Sequence, residues 1–168
     1  MRKPLLVGIA LVGIAPASAQ EQINKADEVA LQQDKTAALS ELSNECLECA
    51  AYFTVTAYCI GGYPAPIVPK LVRDNQHSAS TALSLAISNG GVVGLTGASI
   101  EAGSKSLVTA LMRSINNDCL NIGDLSERYD AFCKRLMQRP DERFAELLTR
   151  RICTGLFRCP LRSIIVPS

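Results

Sequence analysis

Hydrophobic positions recur every three or four residues through most of the chain, which is the period of an amphipathic helix. Residues 21–60 contain neither proline nor glycine, so nothing interrupts a helix there. The apolar stripe of this stretch consists of Leu39, Leu42, Cys46, Cys49, Phe53, Ala57 and Ile60. The pattern predicts one long helix, or two in line, with Cys46 and Cys49 on the buried face and the aromatic residues in the core.

Turn signals divide the rest of the chain into four further helices. Gly61-Gly62-Tyr63-Pro64-Ala65-Pro66 ends the first helix, Asn89-Gly90-Gly91 is a C-cap signal, and Asp124-Leu125-Ser126-Glu127 has the spacing of a capping box. The predicted helices cover residues 69–88, 99–117, 124–138 and 140–155. Helices joined by short loops indicate an all-α, antiparallel bundle of four to five helices. Only Ile164-Ile165-Val166 has the character of a strand.

The first 19 residues have the three parts of a secretory signal peptide. Arg2 and Lys3 precede an apolar run at residues 5–15, and Ala17-Ser18-Ala19 has the form of a cleavage site. The run is 11 residues long, whereas a membrane-spanning helix needs roughly 20. We therefore expect cleavage after Ala19 and a single helical domain, residues 20–168, in the periplasm or the extracellular space.

A second stretch, residues 75–100, carries no charge and must be tested as a membrane span. Glycines interrupt it and serines dilute it, which a hydrocarbon-spanning helix would not tolerate so often. The pattern favours two partly buried helices around a glycine hinge. The prediction is that the protein is not an integral membrane protein.

Charge is balanced overall but unevenly distributed. The predicted mature chain has 15 basic and 16 acidic residues, so no global field favours nucleic acid. Residues 20–60 are mainly acidic and residues 131–168 mainly basic. The two regions could pair inside the fold, which is the favoured interpretation, or the basic segment could face anionic lipid. The candidates for such an anionic surface are Lys134, Arg135, Arg139, Arg143, Arg150 and Arg151, with Arg158 and Arg162 beyond them.

Few residues offer catalytic or metal chemistry. The chain has one histidine, His77, and the cysteines of an exported protein form disulfides more often than zinc sites. Cys46-Leu47-Glu48-Cys49 has redox spacing, but it falls in the middle of a helix, where Glu45 and Glu48 would raise the thiol pKa. A dyad of an unpaired cysteine with His77 stays open. We predict no catalytic residue, no metal and no cofactor.

All seven cysteines lie after the predicted cleavage site: Cys46, Cys49, Cys59, Cys119, Cys133, Cys153 and Cys159. In an oxidising compartment, cysteines pair by default. Because seven is odd, at least one is free or bonded to another chain.

The spacing of six cysteines resembles that of the saposin-like family of helical, three-disulfide, lipid-interacting domains. The likeness lies in C-x2-C at Cys46, the pair Cys119 and Cys133, and the closing ICTGLFRC. It implies the pairs Cys46 with Cys159, Cys49 with Cys153, and Cys119 with Cys133. Cys59 is then the unpaired cysteine and the candidate for a disulfide-linked dimer. The 69 residues between Cys49 and Cys119 depart from the family.

A second resemblance concerns RYDAFCKRLMQRPDERF, which is similar to the C-terminal part of small exported proteobacterial proteins without a known function. Taken together, the residues favour a non-enzymatic binding or structural protein with a protein or lipid partner. One alternative is a saposin-like module whose basic segment meets anionic headgroups. Another is a thiol-disulfide oxidoreductase that uses Cys46.

Overall fold

The computed structural model describes residues 17–155, with side chains described from residue 25 to residue 154. Within this part of the chain there are five α-helices and no strand, which confirms the prediction of an all-α fold. The helices are α1 (Ala17–Gly61), α2 (Val68–Val92), α3 (Gly97–Ser114), α4 (Ile122–Gln138) and α5 (Pro140–Gly155), and a 3₁₀ turn (Cys119–Asn121) precedes α4. Residues 1–16, which hold most of the predicted signal peptide, and residues 164–166 lie outside the described residues.

The central element is α1, against which the other four helices pack. Five of the seven residues of the predicted stripe are buried, and Leu39 and Ile60 at its ends are half-buried. The buried five are Leu42, Cys46, Cys49, Phe53 and Ala57. Further residues that lie off the stripe are buried as well: Ala50, Ala51, Tyr52, Val55, Thr56 and Cys59. A helix that is surrounded by neighbours buries residues all round rather than along one stripe.

Three of the outer helices, α2, α4 and α5, run antiparallel to α1. Helix α3 runs parallel to it, because Gly103 near its start lies against Leu47 and Cys119, just beyond its end, is bonded to Cys59. Ser43 Oγ donates a hydrogen bond of 2.8 Å to the carbonyl of Ala86, while Gly61 at the other end of α1 faces Val72, so α2 runs back along α1. The disulfides and ion pairs described below place α4 and α5 one after the other along α1, also antiparallel to it.

Two predicted helix ends differ from the structure. The predicted C-cap at Asn89-Gly90-Gly91 is wrong, because α2 continues to Val92 and the turn comes at Gly94, with a φ of 87°. A Cβ atom on Gly90 would lie 2.6 Å from Ile100 Cδ1, so this glycine allows helices α2 and α3 to approach closely. The predicted capping box is also wrong, because α4 begins two residues earlier, at Ile122.

The disulfide pairing differs from the one that the saposin-like resemblance implies. Cys49 is bonded to Cys133 and Cys59 to Cys119, with Cα atoms 5.4 and 5.1 Å apart. Cys59 is therefore not the unpaired cysteine. Among the described residues the free cysteine is Cys46, which is buried. A disulfide-linked dimer through Cys59 is ruled out by the Cys59–Cys119 bond.

Helix geometry explains why the expected pairs do not form. Cys133 lies three turns, roughly 16 Å, beyond the start of α4, and Cys119 lies before that start. A disulfide needs Cα atoms within about 7 Å. Cys153 is disulfide-bonded, but not to Cys49, because α5 contacts α1 at Glu41, two turns before Cys49. The pair Cys46 with Cys159 is wrong because Cys46 is free; Cys159 itself lies outside the described residues.

Because both described bridges join α1 to the 3₁₀ turn and α4, each should stabilise the fold through its own cross-link. We expect Cys59→Ala/Cys119→Ala and Cys49→Ala/Cys133→Ala each to lower the free energy of unfolding by about 2–4 kcal/mol, mainly because the unfolded chain gains freedom. Urea unfolding with Cys46→Ala as the matched control checks this. An unchanged midpoint in either double variant would contradict the assigned pairing.

Candidate functional site

An exposed and nearly uncharged surface lies at the C-terminal end of α1, over the Cys59–Cys119 bridge. We call it the tyrosine patch, and it consists of Tyr58, Gly61, Gly62, Tyr63, Asp118 and Leu120 around that bridge. Tyr58 and Leu120 are 70% and 78% exposed. Asp118 is its one charged residue. Exposed apolar residues that lie side by side in a patch mark contact sites more often than single exposed residues do.

Local hydrogen bonds and the disulfide hold the two sides of this surface together. The Asp118 carboxylate accepts a hydrogen bond of 3.0 Å from the backbone N–H of Leu120, which shapes the 3₁₀ turn. The Cys59–Cys119 bond then fixes that turn against the end of α1. On the other side, the backbone N–H of Tyr63 donates to the carbonyl of Ile60 at 3.0 Å. The patch is therefore held in place by the fold.

Tyr58 also borders a groove between helices α1, α2 and α3. The other lining residues are small or uncharged: Ala50, Thr54, Ala57, Gln76, Ala79, Ser80, Leu83 and Ser104. The four from α2 follow the spacing i, i+3, i+4 and i+7, so they form one helix face. The uncharged stretch at residues 75–100 supplies this face.

The prediction that residues 75–100 form two partly buried helices is confirmed. No helix in the described part of the chain has the length and apolar character that crossing a bilayer requires.

The basic C-terminal segment pairs with acidic residues of α1, as the favoured interpretation of the charge pattern predicted. Arg143 Nη2 and Nε donate to the two carboxylate oxygens of Glu45 at 2.6 and 2.9 Å, and its Nη1 bonds Glu146 at 2.9 Å. Arg150 and Arg151 both bond the carboxylate of Glu41. The hydrogen bonds that Arg143 donates to Glu45 hold the pKa of this guanidinium above its usual range. These pairs dock α5 on α1.

The remaining candidates for an anionic surface lie on α4 and at its end. Lys134 pairs with Asp130 at 2.8 Å, and Arg139 pairs with Glu142 at 3.1 Å. Arg135 is exposed and forms no ion pair with any described residue. Five of the six predicted side chains thus have a carboxylate partner within the fold. Three of the six, Arg135, Arg139 and Arg143, line one cavity between α4 and α5 together with Glu142 and Glu146.

The cysteine motif does not form a redox pair. Cys49 is bonded to Cys133, and burial, with a further contribution from Glu45, raises the pKa of the Cys46 thiol to about 12. Thiol-disulfide exchange requires a thiolate. His77 is exposed on α2 whereas Cys46 is fully buried, so the dyad left open by the sequence does not form in this fold. No cluster of three or more potential metal ligands occurs within residues 17–155.

The tyrosine patch was not predicted. The sequence expectation was that the aromatic residues of the first helix form the core, and this holds for Tyr52 and Phe53 but not for Tyr58. One signal was available, because Tyr58 and Tyr63 flank the two glycines that end the helix. Leu120 carried no such signal, since its position depends on a disulfide between distant residues.

Comparison with known proteins identifies no relative. No family model matches the chain, and no significant match was found among curated proteins or solved structures. Interpretation of the site therefore rests on its own geometry.

The Glu41 pairs predict an acid-sensitive contact between helices α1 and α5. Burial raises the pKa of Glu41, but the hydrogen bonds from Arg150 and Arg151 outweigh it and the net pKa is lowered. A lowered pKa means that this stabilisation is present above the ordinary glutamate pKa of 4.5 and is lost as the pH falls below it. We expect Glu41→Gln to cost about 1 kcal/mol or less at pH 7.

The free energy of unfolding of Glu41→Gln should also fall less steeply than that of the wild-type protein as the pH drops below 4.5. Urea unfolding at several pH values checks this, with the exposed Glu28→Gln as the matched control. If Glu41→Gln and Glu28→Gln give the same acid profile, the pairing does not contribute to stability.

The buried thiol predicts slow alkylation of the native protein. Because its pKa is about 12, Cys46 at pH 8 is almost entirely a protonated thiol, and it is also shielded from the reagent. We expect iodoacetamide to label Cys46 only after the protein is denatured without reduction, as read by peptide mass spectrometry. Rapid labelling of the native protein would restore the oxidoreductase alternative.

Proposed function

We propose that the protein is an exported, non-enzymatic binding protein that contacts a protein partner through the tyrosine patch. The observation that carries the proposal is the exposure of Tyr58 and Leu120 on a nearly uncharged surface that a disulfide holds rigid. Tyrosine is enriched and charge is depleted at the centres of protein interfaces. A surface fixed before binding also loses little conformational entropy when the partner arrives.

Two observations support an exported setting. The Cys49–Cys133 and Cys59–Cys119 bonds are of the kind that forms in oxidising compartments. The signal-peptide pattern at residues 1–19 points to the same compartments. Periplasmic or secreted localisation is therefore part of the proposal.

A protein partner is favoured over a lipid surface by the charges. The tyrosine patch contains Asp118 and no basic residue, so it offers nothing to the phosphates of anionic headgroups. Arg143, Arg150 and Arg151, which the lipid alternative needs, are engaged by Glu41 and Glu45. The saposin-like module stays an alternative, although the disulfides of this chain do not follow the family's pairing.

Photo-crosslinking in producing cells tests the proposal. We expect p-benzoylphenylalanine in place of Tyr58 to give a discrete protein adduct in the exported fraction, and the same group at the exposed Thr109 on α3 to give none. With the identified partner purified, Tyr58→Ala should weaken binding roughly tenfold or more, because central interface tyrosines contribute strongly. Circular dichroism would confirm that the variant folds.

Three results would count against the proposal. An adduct of equal yield from position 109 would show that the crosslinking is not specific to the patch. An adduct with lipid alone would favour the membrane-interacting alternative. A normal affinity of Tyr58→Ala for the purified partner would remove the patch from the interface.

A further inference from the structure

A small cavity lies between α4 and α5 at the bend around Pro140. Its volume is about 70 Å³, and its apolar wall is formed by Phe132 and Leu136. Proline at the first position of α5 cannot supply the N–H that would continue α4, so the two helices separate there and leave the space open. The cavity is distinct from the tyrosine patch, with which it shares no residue.

Three arginines and two glutamates line the rest of the cavity, and they differ in how firmly they are held. Arg143 is fixed by Glu45 and Glu146 and lies 5.8 Å from the centre of the Phe132 ring. Arg139 forms one ion pair, with Glu142. Both side chains are about 60% exposed, so this ion pair is weak.

Arg135 is the lining cation with no carboxylate partner among the described residues. A guanidinium group presents a planar set of N–H donors that matches a phosphate or carboxylate in a bidentate manner. In this structure Arg135 lines the cavity beside Phe132 and Leu136, and Arg139, a second and weakly held arginine, lies one helical turn away.

We propose that this cavity binds a phosphate monoester that carries a short apolar group. Arg135 binds the phosphate oxygens, and Arg139 exchanges its exposed contact with Glu142 for the ligand. The first carbons of the ester lie against Phe132 and Leu136. Glu142 and Glu146 oppose the entry of inorganic phosphate, which has no apolar part to offset the repulsion. The cavity, of about 70 Å³, takes up only part of such a ligand, and the rest of the ligand lies in solvent.

Isothermal titration with monobutyl phosphate tests the site on the full mature protein. We expect saturable binding with a stoichiometry of one, and weaker binding of inorganic phosphate and of 1-butanol, each of which lacks one half of the ligand. Arg135→Gln should lower the affinity for monobutyl phosphate roughly tenfold or more, because a charge-assisted hydrogen bond is lost. The matched control is Arg128→Gln, an exposed arginine on the same helix that does not line the cavity.

Each contrary outcome overturns a defined part of the inference. If Arg135→Gln and Arg128→Gln lose the same affinity for monobutyl phosphate, the effect is one of overall charge. If 1-butanol binds as tightly as monobutyl phosphate, the site is purely apolar. Absence of saturable binding would remove the site altogether. Thermal unfolding of both variants without ligand shows whether the substitutions disturb the fold.

The phosphate monoester can come from a soluble metabolite or from a lipid headgroup, and vesicles separate the two. Co-sedimentation with phosphatidylcholine vesicles that contain phosphatidic acid, lost in Arg135→Gln but not in Arg128→Gln, would identify the lipid source. Binding of monobutyl phosphate without co-sedimentation would identify a soluble ester. Neither result depends on the tyrosine patch, so this inference and the proposed function can fail separately.

Discussion

The burial of α1 between Cys46 and Cys59 is the constraint to which the other helices conform. Small side chains such as Ala50, Ala51 and Ala57 let neighbours approach this helix on several sides, so one segment serves as the core for all of them. Within that segment Glu48, Thr54 and Tyr58 are the exposed residues, so little of its surface is left for a ligand. The two candidate sites lie where α1 ends and where two outer helices separate.

Two different interactions hold the α4 and α5 segments along α1. The bridges from Cys49 and Cys59 are ten residues apart on α1, which is roughly 15 Å, so α4 can neither slide nor rotate against it. The contacts of α5 with Glu41 and Glu45 are ionic and partly exposed, and salt screens such contacts. The α4 segment is therefore covalently fixed, whereas the α5 segment is held by interactions that respond to pH and ionic strength.

The elements could be predicted from the sequence because each depends on local pattern: the period of apolar residues located all five helices, and the run from Gly61 to Pro66 located the first turn. The internal pairing of acidic and basic regions also followed from charge distribution. The disulfide pairing could not be predicted in this way. Cys133 meets Cys49 because α4 packs antiparallel on α1 at one particular offset along the helix axis, and the period of apolar residues does not specify that offset. Leu120 joins Tyr58 through that same offset, so the tyrosine patch was invisible for the same reason.

The two candidate sites are restrained in different ways, and this difference determines what each of them can bind. At the tyrosine patch, the Cys59–Cys119 bond fixes the backbone that carries the exposed side chains before a partner binds. Such preorganisation raises the affinity for a large, flat partner surface. At the bend around Pro140, the ligand must replace an existing contact of Arg139, which is feasible because that contact is exposed and weak. A small anion can supply the replacement, whereas a protein surface cannot enter a cavity of about 70 Å³. The way each site is restrained therefore favours a macromolecule at one and a small ligand at the other.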